Sequence, residues 1–249
     1  MFSGTVLCVP RTEAIRYASR FLSEQNIRIT EKCAPDVTHV LLPVPSFSRG
    51  DEYLAHLLTG LPDDVILCGG NLSSPLTEGY PCLDFLQDPY YLADNAAITA
   101  ECTVKMLRQE FKAEWDGRQV LIIGWGRIGK CLAALLWALE AEVTVVARKE
   151  EDRAMAHALG YHAEAPEKLG RELDRFQLIY NTAPAAVLTE EQMGNCRETC
   201  LKIDLASVKG IQDTHVIWAR GLPGKDTPGS SGKLIAKTII RLLDRKERL

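Results

Sequence analysis

The sequence predicts an α/β protein of two domains, each a parallel sheet with flanking helices, the second a Rossmann dinucleotide-binding fold. Three observations predict it. Short apolar runs alternate with stretches of helical periodicity almost from end to end, the pattern of strands joined by crossover helices. A glycine-rich loop, Gly124-Trp125-Gly126-Arg127-Ile128-Gly129, lies between an apolar strand and an amphipathic helix. Between the two halves, residues 71–93 lose any sustained period.

In the first half, residues 5–9 read as an apolar strand, and residues 13–24 place Ile15, Ala18, Phe21 and Leu22 at helical spacing. Residues 27–30 and 39–44 read as further strands, the second stopped by Pro43-Val44-Pro45. Residues 51–61 read as a helix, and residues 65–68 as a strand running into the turn Gly69-Gly70-Asn71. The prolines, glycines and Tyr90-Tyr91 of residues 71–93 predict an inter-domain loop. Helical spacing resumes over residues 95–111 through Ala97, Val104, Leu107 and Phe111, a long helix that would bridge the halves. The expected division is a substrate-side domain over residues 1–93, a linker helix over 94–116 and a dinucleotide-binding domain over 117–229. A terminal helix over 230–245 would pack back on the first domain.

In the second half, residues 119–123 form an apolar strand and 127–139 a helix. Residues 142–147 form a second strand, and 151–159 a helix ending at Gly160. Residues 176–181, 200–205 and 216–219 supply later strands. The last segment, 233–243, carries Leu234, Ile235, Ile239, Leu242 and Leu243 on one side of a helix.

Composition excludes several classes. With 249 residues, 46% hydrophobic and 25% charged, the chain is neither collagen-like nor low-complexity. Its 29 basic and 33 acidic residues leave a net charge of -4, without the basic surplus of a nucleic-acid binder. The longest apolar run, 131–139, ends at Glu140, short of the roughly 18 residues a membrane span needs. The first residues show no basic stretch before an apolar one, so no secretory signal is expected. Eight cysteines lie without a paired framework, which reads as a reduced, cytoplasmic, soluble protein. Cys196 and Cys200 lie four apart without a second ligand pair, so no metal is expected.

Each glycine of the loop has a physical role. Gly124 permits a tight turn, Gly126 lets backbone approach a pyrophosphate, and Gly129 allows close helix–strand packing. The free N–H groups at the helix start then meet negative charge. After the second strand an NAD site places Asp or Glu, but this chain has Arg148-Lys149. A guanidinium there suits a 2′-phosphate, so NADP is the expected cofactor.

Three later strand ends carry polar groups: Asn181-Thr182-Ala183-Pro184, Asp204-Leu205-Ala206-Ser207, and Gly221-Leu222-Pro223-Gly224 with Thr227-Pro228-Gly229-Ser230-Ser231 beyond it. Ser230 or Ser231 either caps the last helix or meets substrate. Asp204 either ties a neighbouring loop or faces the ligand. Ser46, Ser48 and Arg49 follow a first-half strand end and would face the cleft. None of the five histidines sits in a motif marking it as a general base, and the catalytic residue stays unassigned.

Taken in order, the glycine loop, Ala147-Arg148, Asn181-Thr182-Ala183-Pro184, Ile203-Asp204-Leu205-Ala206-Ser207 and Gly221-Leu222-Pro223-Gly224 resemble the dipicolinate synthase A-subunit family of spore-forming bacteria. In the first half the likeness rests on Leu41-Leu42-Pro43-Val44 and the helix start near Asn95. The resemblance implies oxidation of 4-hydroxy-tetrahydrodipicolinate, with loss of water, to dipicolinate. NADP would accept the electrons, and the flavoprotein-like dipicolinate synthase B-subunit would be the partner, in the cytoplasm of the mother cell.

On this reading Gly124, Trp125, Gly126, Arg127, Ile128 and Gly129 hold the pyrophosphate, and Arg148 and Lys149 the 2′-phosphate. Asn181, Thr182, Pro184 and Ser207 border the nicotinamide. Leu222, Pro223, Gly224 and Ser230 close on the dicarboxylate substrate, with Ser46, Asn95, Thr99 and Glu101 from the first half. Arg220 stands where the family has a proline, and the first domain is shorter. Exposed apolar surface on the bridging helix would serve a homo-oligomer. The rival readings are an NADP-dependent reductase of the 2-hydroxyacid or shikimate dehydrogenase type and a non-catalytic dinucleotide sensor.

Overall fold

A computed structural model describes residues 4–47, 52–62, 64–111, 114–170 and 172–246. In chain order the first elements are β1 (Thr5–Cys8), α1 (Glu13–Glu24), β2 (Arg28–Thr30), β3 (Val37–Leu41), α2 (Glu52–Thr59), β4 (Ile66–Gly69), β5 (Cys82–Asp84) and α3 (Pro89–Phe111). There follow β6 (Gln119–Ile123), α4 (Arg127–Ala138), β7 (Glu142–Val146), α5 (Glu150–Ala158), β8 (His162–Glu164) and β9 (Leu178–Asn181). Last come α6 (Glu190–Met193), β10 (Leu201–Asp204), β11 (Ile217–Trp218), α7 (Leu222–Asp226) and α8 (Pro228–Lys246). The chain divides into two compact units, Met1–Asn95 with Pro223–Leu249, and Ala96–Leu222. The division falls inside α3, at residue 95 rather than in a separate linker over 94–116, and residues 223–229 group with the first unit.

The first unit holds a parallel sheet in the order β2-β1-β3-β4-β5, a doubly wound arrangement. Leu7, Val40 and Leu67 from its strands pack with Leu54 and Leu58 of α2 on one side. Helix α1 starts where Thr12 accepts the Ile15 N–H at 3.3 Å, and it buries Ala14, Ile15, Ala18 and Leu22. Helix α8 lies against α1 so closely that a Cβ at Gly232 would come within 2.5 Å of the Ala14 carbonyl oxygen. Its far half is tied down by Arg241, which pairs with Asp88.

The second unit holds a parallel sheet in the order β11-β10-β9-β6-β7-β8. The chain runs outward from β6 through β7 to β8, then returns to β9 on the other side of β6. One face packs Val120, Ile122, Tyr180 and Ile203 against α3 and α4, through Leu107, Leu132 and Leu136. The other packs Leu121, Ile123 and Ile179 with Leu173, Phe176 and Ile211.

Residues 71–93 depart from the loop expected there. Strand β5 lies within them, held by Asp84, whose carboxylate accepts from the Asn71 and Leu72 N–H groups at 3.0 and 2.8 Å. Helix α3 also begins six residues before Asn95. Asp88 caps it, accepting the Tyr91 N–H at 2.7 Å, and Pro89 fills the first position, where its missing N–H is harmless. Strand β8 likewise has no counterpart in the sequence pattern. Both β5 and β8 are three-residue edge strands, too short to show an alternation. Helix α8 begins at Pro228, five residues before its apolar stripe, and the Thr227 carbonyl accepts the Ser231 N–H at 3.1 Å. Thr227 is therefore the cap, and Ser230 and Ser231 lie inside the first turn. Among the described residues, no helix is long and apolar enough to cross a membrane.

Candidate dinucleotide site

Parallel registration puts four strand ends of the second unit at one edge. Ile123 of β6 is paired with Val146 of β7 and Asn181 of β9, and Asn181 with Asp204 of β10. Every loop leaving these positions emerges on the same side. Since the chain turns outward in opposite directions from β6 and β9, a crevice opens between them, where ligands bind in such sheets.

The glycine loop lies at this point. Gly124 has φ 107°, a left-handed conformation that a side chain would strain, and its Cβ would come 2.6 Å from Thr182 Oγ1. A Cβ at Gly129 would lie 2.1 Å from the Gly124 carbonyl oxygen, so helix and loop touch there. A Cβ at Gly126, in contrast, meets nothing within 4 Å. Gly126 precedes α4 without any side-chain cap bond to the helix start. An exposed, uncapped helix N-terminus beside an open glycine fits a phosphate group. Arg127 is exposed and Ile128 half-buried.

Trp125 contributes differently from the role expected of it. Its indole is 7% exposed, set edge-on to Tyr161 at 5.8 Å between ring centres. Only its backbone belongs to the loop, and the side chain anchors that loop to the core.

The β9 end is also used internally. The Asn181 side chain is fully buried; Nδ2 donates to both Asp204 carboxylate oxygens at 3.1 Å and to the Ala183 carbonyl at 3.0 Å, and Oδ1 accepts the Ala183 N–H at 2.9 Å. Asn181 therefore shapes the turn and offers its amide to no cofactor. Asp204, equally buried, also accepts N–H groups from Ala206 at 3.0 Å, Gly210 at 2.7 Å and Ile211 at 3.1 Å. Of the two roles open to Asp204, tying a loop is the one it fills. Thr182 Oγ1 donates to the Ile123 carbonyl at 3.1 Å, which stitches the β9 end to the glycine loop. Pro184 and Ser207 are exposed at this edge.

Beyond β7, Arg148 and Lys149 are both exposed, and the strand end carries no carboxylate before Glu150. Arg153 of α5 belongs to none of the sequence motifs. Its Nη1 donates to the Ala147 and Arg148 carbonyls at 2.8 and 2.7 Å, fixing the backbone that presents Arg148. The signal available was a cation one helical turn past the strand end.

The remaining expected contacts divide by burial. Ser46 is 3% exposed; it donates to the Pro43 carbonyl at 2.8 Å and accepts the Gly70 N–H at 3.0 Å, joining two strand ends of the first unit. That corrects its reading as a substrate ligand. Ser48 and Arg49 lie outside the described residues. Asn95 and Thr99 are four apart on α3 and share a face, whereas Glu101 lies two residues further, on another side. Glu101 acts there on Cys131 of α4, whose thiol is pushed up by burial and then by this carboxylate. Leu222 is 7% exposed and packs in the core of the second unit. Pro223 is buried and Gly224 and Ser230 exposed, on the short helix α7 and the first turn of α8.

Residues 95–206 match the family model of the D-isomer specific 2-hydroxyacid dehydrogenase NAD binding domain. The chain is 28% identical over 157 residues to the dipicolinate synthase A-subunit of Bacillus subtilis (strain 168), over 60% of this chain and 53% of that relative. It thus spans about half the length of the curated relative it matches. Two solved structures share the fold. The dipicolinate synthase A-subunit from Bacillus subtilis superposes with a TM-score of 0.84 at 19% identity, covering 100% of this chain and 98% of that one. The A-subunit from Bacillus halodurans gives 0.80 at 22% identity, covering 96% and 97%. The chain thus resembles a dipicolinate synthase A-subunit in sequence, shares the fold of two such subunits, and over residues 95–206 matches a dinucleotide-binding domain of the dehydrogenase type.

Proposed function

We infer that the protein is an NADP-dependent oxidoreductase acting as the A-subunit of a dipicolinate synthase. The observation that carries the cofactor choice is the exposed Arg148-Lys149 pair at the end of β7, where an NAD site would set a carboxylate. Arg148 and Lys149 would hold the 2′-phosphate, with Arg153 keeping their backbone in place. The N–H groups at the start of α4 would take the pyrophosphate beside Gly126. When bound, the nicotinamide accepts a hydride. Thr182, Pro184 and Ser207 would border it, and the Asp204–Asn181 pair would keep their loops in register.

The substrate follows from the family resemblance. 4-Hydroxy-tetrahydrodipicolinate would lose one water, together with a hydride to NADP and a proton to solvent, to give the aromatic pyridine dicarboxylate. Asn95, Thr99, Glu101, Gly224 and Ser230 remain the proposed substrate-side residues. A flavoprotein-like B-subunit is the proposed partner, and the cytoplasm of a sporulating mother cell the proposed setting. The match over residues 95–206 favours one alternative, a 2-hydroxyacid-type oxidoreductase.

The test mixes the purified chain with NADP and freshly generated hydroxy-tetrahydrodipicolinate, with and without the companion protein. Dipicolinate formation is followed by mass and ultraviolet absorbance. Arg148→Asp is expected to weaken NADPH binding tenfold or more and to leave NADH binding little changed. Product formation that depends on NADP supports the reading. NADPH binding without product, even with the companion, removes the substrate assignment and leaves the alternative.

A further inference from the structure

Helices α4 and α5 cover the same face of the second sheet, and their inner sides join one core through Leu132 and Leu136 of α4 and Ala156 of α5. Each carries the chain from the carboxyl end of one parallel strand back to the amino end of the next, so the two helices run parallel to each other. Their outer sides share an apolar patch. Trp137 is 50% exposed, Met155 56% and Leu159 54%. The Trp137 ring stands edge-on to Tyr161 at 5.6 Å between ring centres, and a Cβ at Gly160, next to Leu159, would lie 3.3 Å from it. Met155 lies four residues before Leu159, on the same side of α5. Large apolar side chains gathered half out of water mark an interaction surface, unlike the scattered single ones of any protein.

Charge beside the patch is sorted by helix. The start of α4 exposes Arg127 and Lys130, and the start of α5 exposes Glu150 and Glu151. Among the described residues, the ion pairs of the second unit use none of these four. A two-fold axis running along the helices would lay α4 of one molecule on α5 of another, start against start. Lys130 then meets Glu151 of the second copy, and Trp137 meets its Met155 and Leu159. The spacings agree: Trp137 follows Lys130 by seven residues and Leu159 follows Glu151 by eight, rises of about 10 and about 12 Å. Opposite charges and apolar side chains therefore come into register together, and the two-fold repeats both contacts.

We propose that the outer face of α4 and α5 is a self-association surface, occupied by a second copy of this chain in a two-fold dimer. The charge pattern selects that occupant. A surface with a cationic start on one helix and an acidic start on the other is its own complement. A uniformly basic or acidic partner would set like charge against one of the two starts. Trp137, Met155 and Leu159 supply the apolar centre, and the Lys130–Glu151 pairs fix which way the helices lie. Exposed Ala134, Ala138, Ala154 and Ala158 leave room for close approach, because their side chains are short.

The test measures the mass of the full chain by sedimentation over a wide concentration range. The expected result is a monomer–dimer equilibrium. Met155→Glu, at an exposed position, should raise the dimer dissociation constant about tenfold or more with the circular dichroism spectrum unchanged. Lys130→Glu and Glu151→Lys should each raise it severalfold, and the two together should bring it back near the parent value. That recovery separates the proposal from a merely local loss at Lys130, whose ammonium also lies 5.8 Å from the Trp125 ring centre. Hydroxyl-radical oxidation of Met155 should fall as concentration passes through the dissociation constant, while exposed Trp218 stays open to it. A chain that stays monomeric throughout overturns the proposal. So does a dimer that Met155→Glu leaves intact, or a double charge swap that recovers nothing. Protection of Met155 only when a companion protein is added gives the face to a different chain, and overturns it as well.

Discussion

The heaviest polar demand on a single residue falls on Asp204. Its carboxylate gathers the Asn181 amide and three backbone N–H groups inside the protein. Leaving several buried donors unpaired costs about 1–3 kcal/mol each. Asp204→Ala is therefore expected to lose on the order of 3 kcal/mol or more in urea unfolding, and NADPH binding with it, since the loops at 182–184 and 205–211 share this anchor. A variant of unchanged stability would refute that role. Asp213 supports a pH prediction. Burial opposes its ionisation, but the Lys202 hydrogen bond wins and holds the carboxyl below its usual 3.8. Lys202 is raised above 10.5 by the same partner, again against burial. A depressed acid stabilises above its unfolded pKa, and the contribution fades as pH falls through the folded value. A raised base stabilises below its unfolded pKa and fades as pH rises through the folded one. The pair thus contributes fully between about pH 4 and pH 10. Asp213→Asn should cost about 3 kcal/mol at pH 7, and the gap to the parent should close below about pH 4. A gap that does not narrow as pH falls below about 4 would contradict this account.

At the scale of elements, α1 and α8 pack in close backbone contact. A Cβ on Gly232 would lie 2.5 Å from the Ala14 carbonyl oxygen, 2.5 Å from Tyr17 Cβ and 2.8 Å from the Ala18 nitrogen. Two of those three atoms are backbone, so a rotamer change cannot relieve the overlap. Alanine elsewhere in a helix would gain about 1 kcal/mol over glycine. Here overpacking of about 1–3 kcal/mol is expected to win. Gly232→Ala should lower the melting temperature by a few degrees, and Gly224→Ala, with nothing within 4 Å, should not. Equal melting temperatures would mean the helices part freely. The elements that escaped the sequence have physical reasons for doing so. In β5 and β8 three residues cannot establish a period, and in α3 the opening Pro89-Tyr90-Tyr91 reads as a loop until Asp88 is seen capping it.

For the whole molecule, ligand linkage is the clearest prediction. A dinucleotide that binds the folded chain alone raises its stability by about 2.7 kcal/mol at a hundred times Kd. Calorimetric scans with NADPH and NADH at equal concentration should show the larger shift for NADPH. Equal shifts would count against a 2′-phosphate site at Arg148 and Lys149. Two sheets of parallel strands, each with its own buried core, were legible from the alternation of apolar runs and helical stretches alone.

The fold class, the glycine loop between β6 and α4, and the cationic end of β7 are legible in the chain alone, because each is written in neighbouring residues. Which polar groups stay open to a ligand depends on how the chain packs. Asn181 meets a carboxylate 23 residues away, and Ser46 a backbone amide 24 residues away. Both look like ligands in the sequence and are satisfied inside the fold. Trp125 and Leu222 are likewise turned into the core. A residue's type states what it can bond to, but whether those bonds are already made depends on chain segments that folding brings beside it.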